Sequence, residues 1–153
     1  MRLRILAVGK DRSGLYQPAV EEYLSRLSRY GKVELVEVPE ARRHAGTPQA
    51  REEEAEALLD RLGPRERLVA LDERGPEHTS PELARRLAAW QAGGRDVALV
   101  IGGSDGLSPR LLEKADERLS LSRLTLAHRL ARLVLAEQLY RAFTILRGEP
   151  YHK

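Results

Sequence analysis

The sequence predicts an α/β fold built on a mostly parallel sheet. Three observations carry that reading: apolar runs of strand length recur roughly every 30 residues, amphipathic stretches of helical period lie between them, and Gly, Pro and Ser punctuate the junctions. The first run, residues 3–8, is followed by Tyr16, Val20, Tyr23, Leu27 and Tyr30 at helical spacing, with Gly31 as the stop signal. Residues 33–38 form the second run. Residues 47–62 then read as an acidic helix that closes on Gly63 and Pro64. After the third run, residues 68–71, Ser80 and Pro81 open a helix that ends near Gly93 and Gly94. Residues 97–101 are the fourth run, and Ser108 and Pro109 start the next helix. A weaker fifth run lies within residues 121–126, and a last helix covers about 129–147. The most loop-like stretch is 39–48. No repeat, low-complexity tract or long linker divides the chain, so residues 1–153 are expected to form one domain. In an open α/β sheet the ligand site lies at the carboxyl ends of the strands, and function is expected in those loops.

Composition narrows the function classes. The chain has 153 residues and a mass of 17.2 kDa, 42% hydrophobic and 32% charged, enough apolar material for one core and too much periodic hydrophobicity for disorder. No apolar run approaches the roughly 18 residues of a membrane span, and the opening MRLRILAVGKDRSG is too short in apolar residues for a signal peptide. A cytoplasmic protein with no membrane partner is expected. Cysteine is absent, which excludes disulfides and thiolate chemistry, and the four histidines are too far apart for a helical two-His pair, so no metal site is expected. The net charge of +3 divides unevenly, with basic excess in residues 1–50 and 101–153 and acidic excess between them. That asymmetry permits a polyanion on one side of the fold, although on charge alone mixed solvated helix faces are the better account of it.

The sharpest local signal is ALVIGGSDG, an apolar run entering Gly102, Gly103 and Gly106 just before the helix start at Ser108. Glycine there lets backbone approach a nucleotide or adenosine group closely, and the pattern is neither GxGxxG nor a P-loop. The third run ends in Leu71, Asp72, Glu73 and Arg74, where the two carboxylates are available as acid or base or for loop pairing with Arg74. The last helix is apolar on most sides, through Leu133, Leu139, Phe143 and Leu146 among others, more than one small chain easily buries. Its start carries His128 and Arg132, four apart and on one face, and the chain closes on Tyr151, His152 and Lys153.

The segments LRILAVGK, LDERG, GRDVALVIGGSDGLSP, LSRLTLAHRLARLVLAEQLYRAFTIL and PYHK, in this order and across the whole chain, resemble the RlmH family of SPOUT methyltransferases. Two positions depart from the family pattern: Ser104 and Asp105 stand where Pro-Glu is familiar, and Ala127-His128-Arg129 where Pro-His-Pro is familiar. The resemblance implies an α/β fold whose carboxyl-terminal part is threaded into a deep trefoil knot, against the usual rule for connections. It also implies a homodimer. The family binds S-adenosylmethionine in the knot and transfers its methyl group to N3 of a pseudouridine in a hairpin loop of large-subunit (23S) ribosomal RNA, on the assembled ribosome. Carried over residue by residue, the cofactor site is expected at Leu71, Gly102, Gly103, Leu121, Ser122, Arg123, Leu124, Thr125 and Leu126, with Gly103 and Gly106 shaping the loop. His128, Arg132, Tyr151 and His152 are the catalytic candidates, with Lys153 toward RNA.

The chemistry agrees with this resemblance. A sulfonium methyl is already activated, so the protein need only align it with the base and help the weakly acidic N3 proton leave. His128 and His152 suit a base, Arg132 suits stabilisation of the anion, and the sequence does not choose between them. The competing class is a non-enzymatic RNA-binding or ribosome-associated module that docks through its basic ends, which would need no glycine pocket. An ordinary Rossmann methyltransferase expects its glycine turn after the first strand, whereas the good turn here follows the fourth.

Overall fold

The computed structural model describes residues 1–153. Five strands, β1 (Arg2–Val8), β2 (Lys32–Val38), β3 (Arg67–Leu71), β4 (Val97–Ile101) and β5 (Glu117–Leu119), form one all-parallel sheet in the order β2-β1-β4-β3-β5. The helices are α1 (Gln17–Leu27), α2 (Pro48–Asp60), α3 (Ser80–Gly93), α4 (Pro109–Lys114) and α5 (His128–Arg147). A sheet covered on both faces needs strands that are apolar nearly throughout, and the period of two then sorts side chains between two cores. Leu3, Ile5 and Ala7 of β1 face α1, α3 and α5, while Leu6 and Val8 face α2 and α4. The proline-tagged helix starts are real caps: the hydroxyls of Thr47, Thr79 and Ser108 accept from the amides of Ala50, Glu82 and Leu111 at 3.2–3.3 Å.

The sequence reading and the structure differ at a few places. The fifth strand is Glu117–Leu119 and not the run within 121–126, which is a loop. The strand is hidden in the sequence because it is charged. It is held by side chains from elsewhere: Glu117 accepts from Trp90 Nε1 at 2.7 Å and pairs with Arg67 at 3.3 Å and with Arg86. Helix α1 stops at Leu27, and Tyr30 lies beyond it, stacked on Phe143 with centroids 5.0 Å apart. The loop-like stretch after β2 contains a short 3-10 turn, Arg42–His44. Of the α5 residues judged too apolar for one chain, Leu139 and Phe143 are in fact buried within it, and Leu146 is 40% exposed.

The carboxyl end of the chain is fixed to its beginning. Arg132, in the second turn of α5, is fully buried: one of its terminal nitrogens donates to Glu37 Oε2 at 2.7 Å and the other to the carbonyls of Val8 at 3.0 Å and Gly9 at 2.8 Å. The pairing of β1 with β4 ends at Ala7 and Ile101, and the guanidinium supplies donors to the carbonyls at the end of β1 beyond it. On the far side of the sheet, the segment after β5 lies against the loop after β3. Asp72 N–H donates to the Leu119 carbonyl at 3.0 Å, Ser120 N–H to the Pro76 carbonyl at 2.9 Å, and the Ser120 hydroxyl to the Glu73 carbonyl at 3.2 Å.

Removing the guanidinium strands two carbonyls beneath the helix and leaves the partly exposed Glu37 carboxylate without its partner. Arg132→Met, which keeps most of the volume, should lower unfolding free energy by roughly 2 to 3 kcal/mol. Urea denaturation followed by circular dichroism measures this, and a midpoint equal to wild type would show that the carbonyls find other donors.

Candidate active site

A cleft of about 630 Å³ opens at the carboxyl ends of β3, β4 and β5. That volume falls within the range of small-molecule and cofactor sites. Its floor is the glycine turn. Gly106 N–H donates to the Gly103 carbonyl at 3.0 Å and Gly106 takes a positive φ of 78°, so residues 103–106 close a tight loop immediately before the Ser108 cap. A Cβ on Gly102 would lie 2.6 Å from the carbonyl carbon of Gly106. Gly102 is therefore required by the closure of the turn itself, not by the space of the cleft as the sequence alone suggests.

One wall is Leu71, Asp72, Glu73 and Arg74 after β3, and the other is the extended loop 121–127 leading into α5. Ser120 anchors that loop through Glu73, and the Thr125 hydroxyl donates to Glu73 Oε2 at 2.7 Å, so the two walls are hydrogen-bonded to each other. The apolar residues 121, 124 and 126 that imitate a strand pattern are used to line the cleft, and Leu124 is 75% exposed. Asp72 has one oxygen bonded to Arg74 N–H at 3.2 Å, while its buried Oδ2 accepts no hydrogen bond and has only the Arg118 guanidinium nearby, at 3.9 Å. A buried acceptor in the wall of a cleft suits a hydroxyl or amino group of a ligand.

Eight of the nine expected cofactor residues line this cleft: Leu71, Gly102, Gly103, Leu121, Ser122, Leu124, Thr125 and Leu126. Arg123 does not; it turns outward and pairs with Glu77 at 2.7 Å. His128 joins the lining as the first residue of α5. Its imidazole Nε2 is 3.5 Å from Glu40 Oε1, which also takes a hydrogen bond from Arg129 at 2.8 Å. Burial, then the charge of Arg129, hold the His128 pKa below the ordinary value against the opposing pull of Glu40, so the ring is neutral at neutral pH and able to accept a proton.

The remaining candidates lie elsewhere in this chain. Arg132 does share a face with His128, but one turn deeper, where it is sealed beneath the cleft's end of the sheet and touches nothing that enters the cleft. Tyr151 and His152 are beyond the far end of α5, whose 20 residues span about 30 Å. There Tyr151 packs edge-on to Tyr140 at 4.7 Å with Arg141 over its ring, and His152 Nδ1 is 3.2 Å from Arg141. The tail is thus seated on an aromatic cluster, not frayed. Burial and the Tyr23 hydroxyl push the Tyr151 phenol up to about 12, so it stays protonated.

Two groups that no local pattern reveals complete the site. Arg51, inside the acidic helix, reaches the cleft lining. Glu54, one turn later, is 7% exposed and stands behind the glycine turn: a Cβ on Gly103 would be 3.3 Å from its Oε1. Burial raises the pKa of Glu54, opposed by a hydrogen bond from Ala41 N–H and reinforced by Asp105, Glu40 and Glu53.

A family model described as "Predicted SPOUT methyltransferase" matches residues 1–152. The chain is 74% identical over 153 residues to a protein of Anaeromyxobacter sp. (strain Fw109-5), covering 100% of both chains. It is 48% identical over 159 residues to one of Cereibacter sphaeroides (strain KD131 / KCTC 12085), covering 100% of this chain and 99% of that one. Both relatives bear the name ribosomal RNA large subunit methyltransferase H. Among solved structures, a probable methylase family protein from Haemophilus influenzae Rd KW20 superimposes with a TM-score of 0.57 at 17% identity over 99% of this chain and 70% of that one, a likeness of fold. Parallel sheet, late glycine turn and full-length match agree, and the chain belongs to the SPOUT methyltransferases. Within them it falls in the RlmH family, that of both named relatives.

A carboxyl whose folded-state pKa is raised favours folding below its unfolded pKa, and that contribution is lost as pH rises through the folded value. Glu54→Gln should therefore be more stable than wild type at pH 8 and indistinguishable from it near pH 4, by thermal unfolding at each pH. A less stable variant at pH 8 would mean that the carboxylate is charged and paired behind the turn.

Proposed function

We propose that this chain is an S-adenosylmethionine-dependent methyltransferase that modifies N3 of a pseudouridine in a hairpin loop of large-subunit ribosomal RNA, acting on the assembled ribosome in the cytoplasm. The observation that carries the reading is the cleft between the 102–106 turn and the 121–127 loop, which brings together eight residues the family resemblance assigns to the methyl donor. The donor set fits: apolar Leu71, Leu121 and Leu126 for a ring face, exposed backbone along both loops, and the unsatisfied Asp72 oxygen for a hydroxyl or amine. When bound, S-adenosylmethionine supplies an electrophilic methyl group on a sulfonium. The contacts of residues 119 and 120 with the loop after β3 support a knotted path for the chain through that loop.

The residues of this chain do the rest. His128, neutral and half-buried at the cleft rim, takes the N3 proton as the methyl group is transferred; Glu40 holds the far side of the ring and favours the imidazolium that forms. Arg132 serves by fixing α5, and hence His128, in place. Tyr151 and His152 lie too far from this chain's own cleft to serve it, so the tail acts on the cleft of a second copy in a homodimer. Partly exposed Leu133 and Val134 and the exposed Leu146 of α5 give that contact apolar surface. A docking module without catalysis would need neither the cleft nor the unsatisfied acceptor in its wall.

Calorimetric titration with S-adenosylmethionine and transfer of labelled methyl groups to unmodified ribosomes test the reading. Wild type should bind the donor at one site per chain, and Gly102→Ala, by forcing the turn open, should weaken binding more than tenfold while α5 and the sheet remain folded. Wild type that neither binds the donor nor methylates ribosomes would exclude the function. Loss of residues 151–153 should leave donor binding within about twofold and remove most transfer. Mixing that truncated chain with Gly102→Ala, each nearly inactive alone, should restore about a quarter of wild-type activity if the tail serves the partner's cleft. No recovery on mixing would place the tail's role within its own chain.

A further inference from the structure

The loops that rim the cleft on the side of β1 and β2 carry charges that the methyl-donor site does not use. Lys10 and Arg12 follow β1, Arg42 and Arg43 follow β2, and none of the four makes an ion pair within the chain; all are exposed. The carboxylates around them are engaged inside the fold. Asp11 accepts from the Ser13 hydroxyl at 2.6 Å and from the amides of Tyr16 and Gln17 at 2.6 and 2.9 Å. Glu40 is held by Arg129, Glu54 by Ala41 N–H at 3.1 Å, and Asp105 by Gly46 N–H at 3.0 Å. Each acid thus has its charge partly compensated by donors behind it, and the cations face solvent alone.

These loops are also fixed to the cleft. Arg129 Nε donates to the Lys10 carbonyl at 2.8 Å, which places the β1 loop beside His128, and the Gly46–Asp105 bond ties the β2 loop to the glycine turn. Arg51, at the start of α2, continues the line of positive charge into the cleft itself. A row of uncompensated cations leading to a reaction centre is the electrostatic footprint of a polyanion backbone, held without reading its sequence.

We infer that Lys10, Arg12, Arg42 and Arg43 form a phosphate-binding rim that seats the RNA strand flanking the target nucleotide, with Arg51 carrying the contact into the cleft. This rests on the proposed activity for the identity of the RNA, but not for the presence of the rim. Phosphate contacts of this kind position a strand and set affinity; they take no part in methyl transfer. Removing them should raise KM and leave kcat.

The test uses the full-length protein with Lys10, Arg12, Arg42 and Arg43 all changed to Ala, beside a control with Lys32, Arg65, Arg85 and Lys114 changed to Ala, exposed cations away from this rim. Calorimetry should give the same affinity for S-adenosylmethionine in both variants and wild type. On unmodified ribosomes the rim variant should show KM raised more than tenfold with kcat within twofold, and the control should match wild type. Binding to protein-free large-subunit RNA between about 50 and 200 mM salt should lose about 3 from the slope of log affinity against log salt, since each neutralised phosphate contributes about 0.7 to 0.9. An unchanged slope and KM would overturn the inference. So would weakened binding to ribosomes with undiminished binding to free RNA, which would make the rim a docking face for a ribosomal protein. If wild type neither bound the donor nor transferred methyl groups, the proposed activity would fail, and the salt slope on free RNA would still decide the rim.

Discussion

One buried guanidinium sets the geometry on which the cleft depends. Helix α5 contributes the rim residue His128, the wall residue Ala131 and much of one core, yet it begins directly after an irregular loop and has no side-chain cap at its start. Its position is instead defined one turn in, where Arg132 binds Glu37 and the carbonyls of Val8 and Gly9. A planar fork with fixed donor directions holds a helix in rotation as well as position, which a single apolar contact does not. Gly9 matters for the same reason. A side chain there would meet Glu40 at 2.6 Å, displacing the carboxylate that holds Arg129 and faces His128. Basic residues early in α5 thus act on chemistry through architecture.

Electrostatically the site separates its roles by burial. The imidazole at the rim is kept neutral by desolvation and flanking arginines, and the carboxyl of Glu54 behind the turn is moved toward its neutral form by the same desolvation. The cleft keeps Asp72 as an acceptor and takes Arg51 and Arg74 into its lining, while Lys10, Arg12, Arg42 and Arg43 sit outside it, where water screens them and long-range attraction costs little.

Much of this was legible in the sequence, for identifiable reasons. β1, β3 and β4 are buried on both faces, so their apolar runs are unambiguous, the edge strand β2 still shows its valines and leucine around Glu34 and Glu37, and Pro with Ser or Thr marked the helix starts because the caps form locally. The cleft was legible through the glycine turn and the 121–126 motif. What escaped depends on contacts between distant segments. Glu117–Leu119 is charged and becomes a strand through Trp90, Arg67 and Arg86. Glu40, Arg51 and Glu54 reach the site from loops and helices with no motif of their own. The resemblance makes Arg132 a candidate for the reacting base, and its spacing puts it on one face with His128; the depth of the helix beneath the sheet edge is a tertiary property that periodicity does not carry.

The same guanidinium latch bears on how the chain is made. Its partners lie 95 to 124 residues earlier, and the cleft is closed by residues 121–127, so neither exists until synthesis is nearly finished. Until then the apolar face of β1 and β4 that α5 covers stands open, and Val8 and Gly9 keep bare carbonyls. A chain interrupted before residue 128 is thus a sheet with one face covered by α1 and α3 alone, prone to self-association, and closure must await the slow long-range step that high contact order imposes. Folding and competence for catalysis arrive together, with the last helix.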